Sequence, residues 1–306
     1  MPELPEVETT VRDLEKMTVG LKITDAWSGY DSEYHYGKSH IKDPKYFAKF
    51  KKNIVGKKII GTSRRAKNVL IHLEDNLTIL VHMKMTGHLL YGPYKIRQLA
   101  DKDIWEPQTK NGPLNDKFNG WIRLAFSLSN KKHLVLSDLR KFAKVTLLPT
   151  DNLEHSDDIA HIGPEILENF TATDFIKRIR KYPQRNIKAT LLDQTVVAGI
   201  GNIYSDESLW LAKIHPATLV HKLDDEKLKI LFREAKKVLK KGIDFRGDSM
   251  SDYRTPSGEK GNFQNEHNVY QRAKKSCKRK GCKGIIERIV VATRGTHICP
   301  VCQKKD

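Results

Sequence analysis

Every cysteine in the chain falls in its last thirty residues, and that placement constrains the C-terminus more tightly than any other feature. Cys277 and Cys282 sit in CKRKGC, Cys299 and Cys302 in CPVC, with sixteen residues between the pairs. Two close pairs of thiolates flanking a segment that can fold as a β-hairpin, IIERIVVATRGTHI, match a structural zinc ribbon. Four unrelated reduced thiols would be scattered, yet the first 276 residues contain none. Four cysteines close the coordination shell, so one Zn2+ would fix the hairpin and take no part in chemistry, and neighbouring His297 is superfluous as a ligand. Residues 269–306 therefore read as a metal-stapled module.

The same segment is strongly basic. Residues 271–306 hold eleven Lys and Arg against two acids, half of a net charge of +18 for the whole chain. Phosphate contacts by such residues release condensed counterions, so the default partner is a nucleic acid. No apolar run of about 18 residues is present, and the N-terminus lacks a basic stretch followed by an apolar one. The expected location is cytoplasmic, or nuclear in a compartmented cell.

Between the termini the pattern changes once. Val7, Val11 and Leu14 recur at helical spacing before Gly20, which predicts a first helix. LKITDAW, KKIIGTSRRA, NVLIHLE, LTILVHMKM, WIRLAFSL, HLVLSDL and AKVTLL then read as short strands, so residues 1–150 are expected to form a helix on a β-sandwich or barrel. From about residue 160, TATDFIKRIRKY, NIKATLLDQ, NIYSDESLWLAKI and DEKLKILFREAKKVLKKGI are helical, giving a domain over 151–268. Its last part, 246–268, is rich in Gly, Ser and Asp and reads as an exposed loop. The fold class is α+β with a zinc-bearing hairpin.

Two stretches raise chemical questions. Gly199 and Gly201 precede a helix starting near Asn202, which can cap it, and such a start presents free N–H groups to an anion such as phosphate. An ordinary interhelical turn reads equally well. The opening MPELPEVETT places Pro2 where removal of Met1 would expose a secondary amine, although Pro2 and Pro5 also suit a first helical turn.

Together MPELPEVET, RRAK at 64–67, HMKMTG at 82–87, DQTVVAGIGNIYSDE and TRGTHICPVCQ resemble the formamidopyrimidine-DNA glycosylase family, in order and along the whole chain. The resemblance implies an N-terminal helix on a two-layer β-sandwich, a helix-two-turn-helix domain and a zinc finger, with double-stranded DNA across a cleft. It implies excision of oxidised purines such as 8-oxoguanine and formamidopyrimidines, followed by cleavage at the abasic site by β,δ-elimination. Residue by residue it makes Pro2 the nucleophile, Glu3 the acid/base partner and Glu6 a supporting carboxylate. Lys67 becomes the lysine near the lesion's phosphate, and Asn202 and Arg294 become phosphate clamps, with Lys67 and Arg294 counted among the catalytic groups. Met85, Arg140 and Phe142 would fill the space left by a flipped nucleotide. The 246–268 loop would cover the flipped base, with Tyr253 and Arg254 as candidates for reading it. His82 and Lys188 complete the DNA-binding set, although a hydrogen-bonded structural role suits His82 as well.

The chain departs from the family pattern in CKRKGC, which has four residues between its thiols where two is usual, and in DLRKF, where Leu139 and Lys141 replace the usual proline and arginine. Two other readings are an endonuclease VIII-like enzyme for oxidised pyrimidines and a catalytically silent DNA-binding protein. The presence of Pro2 and Glu3 speaks against the second. A monomer is expected.

Overall fold

The computed structural model describes residues 1–30, 33–99 and 102–305. It forms two compact units: Met1–Ala160 with Phe245–Asn262, and His161–Asp244 with Phe263–Asp306.

In the first unit, helix α1 (Leu4–Thr18) opens on a capping box between Glu3 and Glu6, with a proline in its first turn, and buries Val7, Val11 and Leu14 on one face. Strand β1 (Ile23–Ser28) follows. Helix α2 (Pro44–Ile54) is capped by Asp43, whose carboxylate accepts from Tyr46 N at 2.6 Å. Then come β2 (Ile59–Arg65), β3 (Asn68–Leu73), β4 (Leu77–His82), β5 (His88–Gly92), β6 (Tyr94–Leu99), β7 (Lys102–Pro107), β8 (Ile122–Leu128), β9 (His133–Ser137) and β10 (Lys144–Pro149).

The strands form two antiparallel four-stranded sheets, β1-β8-β9-β5 and β10-β4-β3-β2, and a separate β6-β7 hairpin. Side-chain alternation divides each sheet between two cores. Val69, Ile71, Ile79 and Val81 from one sheet join Leu89, Leu124, Phe126 and Leu136 from the other, with α1 and α2 closing the same cluster. On the outer faces Leu70 and Leu80 pack against Leu153 and Ile159, and Leu90, Ala125 and Val135 against Trp105 of β7. The result is the expected helix on a two-layer sandwich, both of whose outer faces are also covered.

The second unit holds α3 (Ala172–Ile179), α4 (Ile187–Leu192), α5 (Asn202–Leu211) and α6 (Asp225–Asp244), then β11 (Glu287–Val291) and β12 (Arg294–Ile298). Thr171 and Asp174 cap α3 reciprocally. The β11-β12 hairpin turns on Ala292 and Thr293, at φ 52° and 59°. Both are left-handed, as a tight two-residue hairpin turn requires.

The segment assigned from sequence to the helical domain behaves differently. Phe245–Asn262 belongs to the first unit, and Asp248, Ser249, Tyr253, Arg254 and Thr255 are buried. Its polar residues bond one another: Ser249 Oγ donates to Tyr253 O at 2.8 Å and accepts from Gly261 N at 2.9 Å. Composition suggested solvent exposure, but a loop that satisfies its own polar groups can fold inward.

Candidate active site and nucleic-acid interface

The start of α1 gathers the residues expected to do chemistry. Pro2 is buried, and Glu3 and Glu6 are 2% and 1% exposed, while Met1 is 49% exposed. Glu6 braces this corner from both oxygens: Oε2 accepts from Glu3 N at 2.7 Å, and Oε1 from Asp248 N at 2.8 Å. Its carbonyl accepts from Tyr253 Oη at 3.1 Å. Glu6, expected as a supporting carboxylate, thus meets Glu3, Asp248 and Tyr253 of the protein itself. The positive end of α1 lies beside these acids and beside the Pro2 nitrogen.

Lys67 occupies the two-residue turn between β2 and β3, where Ala66 is left-handed at φ 53°, and the lysine is 5% exposed. His82 closes β4 nearby. Burial, and then the charges of Lys84 and Lys67, push its imidazole down to about 3. Nδ1 accepts from Lys84 N at 3.0 Å, so the neutral ring carries its proton on Nε2.

Met85 comes together with Arg140 and Phe142, which lie far from it in sequence. The Arg140 guanidinium stands 4.6 Å from the centre of the Phe142 ring, and its Nη1 lies 3.1 Å from Met85 Sδ. Met85 and Phe142 are 42% and 48% exposed, large apolar groups held in solvent rather than in a core. Asp138, fully buried, fixes both loops that carry them. It accepts from Thr86 Oγ1 at 2.6 Å and Ala143 N at 2.8 Å, while Thr86 Oγ1 accepts from Arg140 N at 3.0 Å. Sequence reasoning missed Asp138, although it opens the same DLRKF motif.

Tyr253 and Arg254, predicted to read a base, are 4% and 2% exposed. Arg254 donates to the carboxylate of Asp116. Tyr253 Oη donates to Glu6 O and Arg254 Nη1 to Ser251 O and Tyr253 O, contacts that build the loop.

In the second unit, Gly201 takes the cap position of α5, and Asn202 is its first helical residue. The Asn202 side chain does not cap the helix, as its sequence position suggested. Its Nδ2 donates to Gly295 O at 3.0 Å, beside exposed Arg294, so the two expected phosphate clamps are drawn together. Gly199 is left-handed at φ 96°, and its N–H donates to Gln194 Oε1 at 3.0 Å. Lys188, predicted to bind DNA, is fully buried, with Nζ 2.5 Å from Asp206 Oδ1 and 2.7 Å from Thr296 Oγ1. A charge placed so deep needs a partner inside, and Asp206 supplies it. Asp206 Oδ2 also accepts from His297 N at 2.8 Å, and Glu207 accepts from the N–H groups of Asn268, Val269 and Tyr270, each at 2.9 Å. Two neighbouring acids of α5 therefore anchor the hairpin and the chain leading to it, a role that the run YSDE gave no sign of.

The four cysteine sulfurs lie within 4.8 Å of one another, and 3.6 Å separates Cys282 from Cys299. That is too far for a disulfide, while four sulfurs at about 2.3 Å from a tetrahedral Zn2+ would be about 3.8 Å apart. Burial pushes the Cys302 thiol up to about 12, and the Gly284 N–H draws Cys282 down to about 7. The donor set fits one structural zinc, and the longer first knuckle does not disturb it.

Comparisons with known proteins follow the same division. The formamidopyrimidine-DNA glycosylase N-terminal domain matches residues 1–145, the formamidopyrimidine-DNA glycosylase H2TH domain 162–254, and the zinc finger found in FPG and IleRS 274–305. Formamidopyrimidine-DNA glycosylases of Pelotomaculum thermopropionicum and Lactococcus lactis subsp. cremoris are each 37% identical to the chain, over 99% and 100% of both sequences respectively. The Lactococcus lactis Fpg in complex with DNA containing an abasic site superposes at a TM-score of 0.82, with 34% identity, over 99% of this chain and all of that one. An Fpg mutant from the same organism, bound to DNA containing Fapy-dG, matches at 0.82 with 35% identity, over the same shares of the two chains.

Proposed function

We propose a reaction for this chain from one premise: it belongs to the formamidopyrimidine-DNA glycosylase family and is a DNA glycosylase of base-excision repair, with lyase activity at abasic sites. It excises oxidised purines, 8-oxoguanine and ring-opened formamidopyrimidines, from double-stranded DNA. With Met1 removed, Pro2 becomes a secondary amine that attacks the sugar C1′ and expels the base, and Glu3 moves protons to open the sugar ring. The resulting iminium draws electrons away from the sugar. Loss of a C2′ proton then eliminates the 3′ phosphate, and a second elimination releases the 5′ phosphate.

The observation that carries this reading is the burial of Glu3 beside Pro2 at the positive start of α1, with its backbone held by Glu6. A proton-moving carboxylate needs a fixed position, and the brace supplies one. The exposed group of Met85, Arg140 and Phe142 suits the vacancy left by a flipped nucleotide: an apolar wedge, a cation for the orphaned base and a ring for stacking. Lys67, Asn202 and Arg294 take phosphates. Lys188 acts behind Asn202 and Arg294 by holding Asp206 and Thr296. One structural zinc maintains the hairpin that carries Arg294. No helix among the described residues is long and apolar enough to cross a membrane, and the enzyme works where the DNA is, in the cytoplasm at the nucleoid.

A second reading has one specific support: a Lactococcus lactis Fpg solved with DNA containing an oxidized pyrimidine. Single-turnover excision from two duplexes, one with 8-oxoguanine opposite cytosine and one with dihydrouracil, separates the two. The purine lesion is expected to be released about 10-fold faster or more, a difference within reach of one pocket. Equal rates, or a faster pyrimidine, would favour the second reading.

A further inference from the structure

The loop Phe245–Asn262 is a strap pinned at both ends within the first unit. At one end Arg246 Nη2 reaches Asp13 Oδ2 at 2.7 Å, and Asp248 N and Tyr253 Oη bond Glu6. At the other end it meets β5 and the segment between β7 and β8. Tyr91 N of β5 donates to Pro256 O at 2.7 Å, and in the connecting segment Asn119 Nδ2, which donates to Pro113 O at 2.9 Å, lies 3.4 Å from Gly258 O. Gly258 is left-handed at φ +87°, and a Cβ there would come within 2.7 Å of Leu114 N.

The centre of this second attachment is ionic. Arg254 is 2% exposed, and its Nη2 lies 3.1 and 3.0 Å from the two oxygens of Asp116. Its Nη1 donates to Tyr253 O at 2.8 Å and Ser251 O at 3.0 Å, and the guanidinium sits 4.9 Å from the centre of the Phe118 ring. Burial alone would raise the Asp116 carboxyl, but the Phe118 N–H and Arg254 outweigh it and hold the group below its ordinary range. A buried guanidinium that loses its anion is left uncompensated, so this contact decides whether the strap stays down. Tyr253, next in the chain, is what the strap lays on the carbonyl of Glu6.

We propose that Asp116 is a positioning residue for the reaction: by clasping Arg254 it seats Tyr253 and Asp248 on Glu6, and Glu6 in turn fixes the backbone of Glu3 and the start of the chain at Pro2. The chain of contacts runs from a carboxylate in the β7-β8 connection to the nucleophile without passing through DNA. It rests on the Pro2–Glu3 reading above.

The test uses the full-length, zinc-loaded enzyme and a duplex carrying a preformed abasic site, read by single-turnover borohydride trapping and by equilibrium binding. Asp116→Asn keeps the shape and removes the charge. It is expected to slow trapping about 10-fold or more, as a small misplacement of reacting groups does, while duplex affinity stays within about 2-fold. Asp116→Glu should recover most of the rate. Gly258→Ala, which disturbs the same attachment through the backbone, should repeat the loss. Unchanged trapping in Asp116→Asn, a loss confined to affinity, or no recovery with glutamate would overturn the proposal. Wild-type enzyme that forms no adduct on the same duplex would instead reject the Pro2–Glu3 reading on which it depends.

Discussion

Glu3→Gln is expected to bind a lesion-containing duplex with its affinity nearly unchanged and to cut it about 10² to 10⁴ times more slowly, the usual contribution of a positioned acid or base. The structure separates the two properties. What Glu3 gives the fold is chiefly its backbone N–H, bonded to Glu6 Oε2 at 2.7 Å, and its part in the capping box, which an amide oxygen can still play. What it gives the chemistry is a carboxyl group able to exchange a proton, and glutamine lacks that. Single-turnover strand cleavage on an 8-oxoguanine duplex, beside anisotropy binding on the same duplex, measures both. Cleavage within a few-fold of wild type would remove Glu3 from the mechanism.

The second large effect concerns the metal. Stripping zinc with a chelator is expected to lower duplex affinity about 100-fold or more at physiological salt, because the contacts of a basic module with phosphate are lost together. Binding of structural zinc is folding free energy, about 10 kcal/mol or more in small zinc modules. Without it, four sulfurs within 4.8 Å of one another have no common partner. The hairpin would then loosen from the Asn202 side chain at Gly295, from Asp206 at His297 and from Lys188 at Thr296. Arg294 moves with it. Helices α3 to α6 have their own core, in which Phe170, Phe175 and Phe232 stack edge to face or tilted, so far-ultraviolet circular dichroism should change little. Full DNA affinity at zero zinc stoichiometry would show that the hairpin holds without metal.

Where periodicity and punctuation were strong, the sequence could be read directly. Pro5 and the Val7–Val11–Leu14 stripe announced α1, the helices of the second unit lay where the sequence placed them, and the cysteine pairs announced a metal. Helix α2 was missed although Asp43 and Pro44 form a clear start signal, because its lysines hide a stripe that buries only Phe50 and Ile54. The β6-β7 hairpin was missed because its strands are largely polar and earn their place through Trp105. Tertiary partners are harder still to read. Nothing local marks Lys188 as a buried ion-pair member, since Asp206 is 18 residues away and Thr296 108. The grouping of Met85 with Arg140 and Phe142 could be expected only through the family resemblance, since a lone methionine or phenylalanine reads as core.

In the proposed reaction the amine of Pro2 forms the covalent bond to DNA. Borohydride trapping on a duplex with one 8-oxoguanine opposite cytosine, followed by peptide mapping of the cross-link, tests it most directly. A stable adduct on Pro2, at the N-terminus of a chain that has lost Met1, is the expected result. An adduct on a lysine such as Lys67, or tight binding with no adduct, would contradict it.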